Sequence, residues 1–104
     1  MPVFFLISRH TPADCPMSNE KAEKVYLEFW NNRDKITKKH GVKMLGAYVA
    51  NTEHLGIFIL EAPSYEVFQK CSMEPEVIAL NAYMSNELII ASTMEDAMKM
   101  LKAK

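Results

Sequence analysis

The chain has 104 residues, a length that one domain accounts for, because a second hydrophobic core would not fit. Apolar residues make up 49% and charged ones 24%, a globular composition that argues against disorder. Twelve Lys and Arg against thirteen Asp and Glu leave a formal charge of -1, which lacks the basic footprint of a dedicated nucleic-acid binder.

No apolar run approaches the ~20 residues needed to cross a bilayer. The opening MPVFFLISRH has neither a basic start nor a small-residue cleavage site, and it reads as a strand. The expectation is a soluble, cytoplasmic protein that engages neither nucleic acid nor membrane. Cys15 and Cys71 match no zinc or redox spacing, and a reduced compartment disfavours joining them. For the eight methionines, packing in irregular core gaps and on adaptable surfaces is the plainer expectation than copper ligation.

The first element is Val3 to Ile7, a continuous apolar run of strand length. Being apolar on both faces, it belongs in the middle of a covered sheet. Pro12 and Pro16 then impose a stiff loop. A long amphipathic helix opens at Ser18 or Asn19, both good caps. It carries Ala22, Val25, Tyr26, Phe29, Trp30 and Ile36 on one stripe and ends at Gly41.

Two strands follow, 42–50 and 54–61, joined through the turn Asn51-Thr52-Glu53. The second, HLGIFILE, is again apolar on both faces. Ser64 caps a second helix that breaks at 72–75 and restarts at Pro75. Leu88 to Ala91 is the last strand. Thr93 to Asp96 resembles a capping box and opens a short helix reaching Leu101.

The order is strand, helix, strand, strand, helix, strand and a terminal helix, which is the ferredoxin-like βαββαβ arrangement of the α+β class. Helices cover one face of such a sheet. The other face is apolar too, so the expectation is a homodimer packed sheet against sheet into an α/β barrel.

With this element order, the stretch GVKMLGAYVANTEHLGIFILEAPSYEVFQ resembles the dimeric α+β barrel superfamily. The likeness is to its short stand-alone members of uncharacterised function. Those proteins similarly start their middle hairpin after a helix-ending glycine. The superfamily holds cofactor-free monooxygenases, isomerases, haem-degrading and nickel-binding proteins, so the resemblance implies fold and pairing without fixing an activity.

In that topology the first strand lies between the third and fourth and runs antiparallel to both. The end of strand one then adjoins the start of strand three, bringing His10 beside His54. Cys15 lies just beyond, and Glu87 is expected nearby as a fourth group. Two imidazoles and a thiolate suit a divalent metal such as Zn, Ni or Cu. The plain alternative is a pair of strand-end histidines beside a small buried thiol.

Arg9 points away from His10, as an ion pair to Glu53 or Glu87 or as a clamp for a carboxylate ligand. Trp30 and Tyr48, with Tyr26, are candidate linings of a pocket between helix and sheet. Two functions follow. One is a homodimer that binds a metal ion or small ligand at the His10, Cys15, His54 end. The other is a cofactor-independent monooxygenase- or isomerase-like enzyme using His10 as general base on an aromatic or lactone substrate. No nucleotide or flavin signature is present.

Overall fold

The computed structural model describes residues 1–104. In chain order the strands are β1 (Val3–Arg9), β2 (Lys43–Ala50), β3 (Leu55–Glu61) and β4 (Ser85–Ala91). The helices are α1 (Glu20–His40), α2 (Tyr65–Ser72), α3 (Pro75–Asn81) and α4 (Met94–Ala103). The strands form one antiparallel sheet of order β2-β3-β1-β4. The two strands that are apolar on both faces are therefore the two central ones.

Helix α1 is bounded as its sequence demands. The Asn19 Oδ1 accepts the Ala22 amide at 3.0 Å, satisfying a donor that the first turn leaves free. Gly41 closes the helix with φ of 66°, a left-handed conformation that glycine adopts without steric cost. Thr93 caps α4 in the same way, its Oγ1 accepting the Asp96 amide at 3.1 Å.

One sheet face carries the core. Phe4, Ile36, Val42, Leu60, Ala62 and Cys71 are buried together, and Phe4 stacks on Phe68 at 4.5 Å between centroids. Successive residues on a strand alternate faces, so the other face of β1 and β3 holds Phe5, Ile7, Ile57 and Ile59 in register. On that face Val3 is buried and Phe5 and Ile7 are half-buried.

Three expectations need correction. Strand β4 begins at Ser85, three residues before the apolar stretch, because the ladder continues through Leu6↔Leu88, Ile7↔Glu87, Ser8↔Asn86 and Arg9↔Ser85. Its polar start is retained on an edge, where the Ser8 hydroxyl donates to Asn86 Oδ1 at 2.7 Å. The proline loop contains a short 3-10 turn, Pro12–Asp14. His54 lies just outside β3 and has φ of 51°, the one non-glycine residue in left-handed backbone. Of the methionines, Met1, Met17, Met73, Met94, Met98 and Met100 are exposed, on the surface side of the expected packing roles. No helix is long and apolar enough to cross a membrane.

Candidate metal centre

The site forms where β1 ends and β3 begins. The register pairs Arg9 with Leu55, and the next residue outward continues it, the His10 amide donating to the His54 carbonyl at 3.1 Å. The two imidazoles consequently face each other, His54 Nδ1 lying 3.2 Å from His10 Nε2. Strand pairing alone would leave the third residue free to wander. The turn Pro12–Asp14 brings the chain back so that one donor atom each from His10, Cys15 and His54 lies within 4.8 Å of the others.

Both nitrogens of His10 are engaged. While Nε2 faces His54, Nδ1 lies 3.4 Å from the Tyr26 hydroxyl, which α1 holds over the end of the sheet. Burial foremost, and then the neighbouring His54, lower the His10 pKa below its ordinary value, against a weaker opposing pull from Asp14. The ring is therefore neutral at pH 7, the form that coordinates a metal or accepts a proton. Burial first, then Cys15 and Asp14, raise the Tyr26 pKa, so the phenol keeps its proton.

Tetrahedral zinc with Zn–N bonds of about 2.0–2.1 Å sets two nitrogen ligands about 3.3 Å apart. The observed 3.2 Å between His10 Nε2 and His54 Nδ1 matches that edge. With Nε2 on a metal, Nδ1 must carry the ring proton and donate it to the Tyr26 oxygen. Ligand histidines ordinarily give that proton to a carboxylate, a carbonyl or water, and here a phenol oxygen stands in that place.

A cavity of about 340 Å³ opens beside the cluster between α1 and the sheet, and His10, Tyr26, Trp30, Tyr48 and Gly56 are among its walls. The space at Gly56 is real, since a Cβ there would meet nothing closer than 3.5 Å. Gly46 makes no such room: a Cβ there would come within 2.8 Å of the Tyr48 ring, which fills the place of the missing side chain.

The other expected partners lie elsewhere. Glu87 is opposite Ile7, hence on the sheet face away from His10, and cannot supply a fourth ligand. Arg9 is on that face as well and makes no ion pair with Glu53 or Glu87; the chain's ion pairs are Lys39–Glu74 and His40–Glu74. Instead Arg9 borders a polar cleft with Asp14 and Ser85 that shares His10 with the cavity but not Trp30 or Tyr48. Cys71 belongs to the core, where burial pushes its thiol pKa up, and both cysteines are free. Tyr26 as partner of His10 was not legible in the sequence, because only the crossing of α1 over the sheet end brings them together.

No family model matches the chain, and no curated protein does. Solved structures do. An uncharacterized NIPSNAP domain protein from Burkholderia xenovorans superposes with a TM-score of 0.60 at 13% identity, over 89% of this chain and 94% of that one. This chain has the ferredoxin-like α+β fold. An antibiotic biosynthesis monooxygenase shares it with a TM-score of 0.58 at 15% identity, over 89% and 98% of the two chains. A protein of unknown function from Rhodopseudomonas palustris gives 0.55 at 16% identity, over 88% and 82%. At these identities the likeness is one of fold.

Proposed function

We propose that this ferredoxin-like chain binds one divalent transition metal ion, zinc or a neighbour such as nickel or copper, through His10, Cys15 and His54. The observation that carries the reading is the 3.2 Å approach of two imidazole nitrogens, with a thiol in reach and a phenol behind one ring. Two nitrogens and one sulfur leave a fourth position for water or a small ligand, the pattern of an open centre. The chain acts as a homodimer paired through the apolar sheet face opposite the core, in the cytoplasm, a reducing compartment in which Cys15 stays free of disulfide.

The test is a zinc titration against a chromophoric chelator, using wild type, His10→Ala, His54→Ala and Cys15→Ser. Wild type takes up one ion per chain, and each substitution weakens binding at least tenfold. Cobalt bound at the site shows a thiolate charge-transfer band that Cys15→Ser removes. Affinity falls as pH drops below about 6, because the ligands must be thiolate and neutral imidazole. Equal binding by all four proteins, or none tighter than about 100 μM, overturns the reading.

One observation favours a second reading. His10 is neutral, buttressed by Tyr26, and borders the apolar cavity, which suits a general base acting on an aromatic or lactone substrate without a cofactor. Turnover of a quinol or lactone by metal-free protein, abolished in His10→Ala, would support it; turnover absent from the metal-free protein rejects it.

A further inference from the structure

Two apolar cavities adjoin beneath α1. The outer one, of about 340 Å³, is the cavity that His10 and Tyr26 border. An inner one of about 70 Å³ lies deeper, against Ile36, Leu60, Cys71 and Val77 of the core. Ser8, Phe29, Phe58 and Met84 are walls of both. Leu27, Trp30 and Val49 line the outer cavity and are exposed, which gives it a mouth to solvent.

The chemistry of the walls limits what can enter. No Asp, Glu, Lys or Arg lines either space. The Ser8 hydroxyl already donates to Asn86, and every buried side-chain polar atom of the chain has a hydrogen-bond partner. A charged group carried between these walls would lose its hydration with nothing in return, whereas an apolar body gains by burial.

We infer that the open position of the metal centre takes an apolar molecule with one monoanionic, metal-binding head and a slender tail that enters the inner cavity. The inference rests on the metal reading above. A divalent ion held by one thiolate and two neutral imidazoles keeps one positive charge. A monoanionic head cancels it, while a dianion or a neutral head leaves a net charge beside uncharged walls. His10 is both a donor to the metal and a wall of the outer cavity, so head and body meet across a single imidazole ring. Volume sets the shape of the tail. A dry cavity of about 150 Å³ holds a benzene ring. The inner space has about half of that, too little for a ring and enough for the end of an alkyl chain.

The test titrates zinc-loaded protein with straight-chain hydroxamates of two, four, six and eight carbons, whose heads bind zinc as monoanions. Trp30 is the one tryptophan of the chain and a wall of the outer cavity, so its fluorescence reports entry. Affinity should rise about fourfold with each added CH₂, the ~0.8 kcal/mol gained by burying one. Zinc-free protein should bind the same probes at least tenfold more weakly. Val77→Met extends a flexible side chain into the inner cavity. It should cost the eight-carbon probe at least tenfold and leave zinc uptake and the two-carbon probe unchanged. Circular dichroism checks that variant, and the wild-type series decides the matter if it does not fold. Affinity that is flat in chain length, or equal with and without zinc, overturns the inference while normal zinc uptake leaves the metal centre standing. Benzohydroxamate binding more tightly than the eight-carbon chain overturns the slender tail. Absence of zinc uptake overturns the metal centre itself, and this inference with it.

Discussion

His10 shows how one side chain takes its role from three elements. Strand β1 carries it to the sheet end, β3 presents His54 to its Nε2, and α1 presents Tyr26 to its Nδ1. The juxtaposition with His54 was legible, since it follows from antiparallel topology and the lengths of two apolar runs. The exclusion of Glu87 was not. Face assignment turns on register, and one residue of slip moves a side chain across the sheet. His40 lies in the last turn of α1, where a positive charge complements the helix dipole, and its Nε2 also lies 2.7 Å from Glu74 Oε1, a contact made only when α3 docks.

That Glu74 contact yields a pH prediction. The hydrogen bond from Lys39 first, then that from His40, lowers the Glu74 pKa below the usual carboxylate value. A group whose native pKa is depressed stabilises the fold fully above its unfolded pKa, and the contribution disappears as pH falls through the native value. Wild type should therefore be more stable than Glu74→Gln near neutrality, with the gap closing below about pH 4 as the carboxylate protonates. Denaturant midpoints across that range measure it. A gap constant from neutral to acid pH would show that the Glu74 charge contributes nothing.

Among the elements, those with strong periodicity or a cap were readable to within a residue or two, α1 and β3 above all. The edge strand β4 was read short because its first three residues are polar, and edge pairing asks nothing apolar of them. Phe58 separates central from peripheral positions: it sits mid-β3, packs edge-on against Phe29 at 6.1 Å and adjoins the core. Phe58→Asp places an unpaired carboxylate there, a cost of several kcal/mol against a total stability of about 5–15 kcal/mol. It should prevent soluble expression. Lys39→Asp removes an exposed ion pair with Glu74 and should leave expression intact. Equal yields of the two soluble proteins would contradict the placement of β3 at the centre of the sheet.

At the scale of the whole molecule, a four-stranded sheet carries its core on one face and apolar residues on the other, with a terminal helix, α4, after the edge strand β4. The second apolar face was legible in the sequence, because β1 and β3 are apolar on both sides. The donor cluster lies at the end of β1 opposite the start of α4, since Val3 pairs with Ala91 and His10 follows Arg9. Diffraction from zinc-soaked crystals, with anomalous maps on both sides of the zinc edge, tests the metal centre most directly. The account predicts one peak per chain, about 2.0–2.1 Å from His10 Nε2 and His54 Nδ1 and about 2.3 Å from Cys15 Sγ. A zinc peak bound elsewhere, or none at saturating zinc, would contradict it.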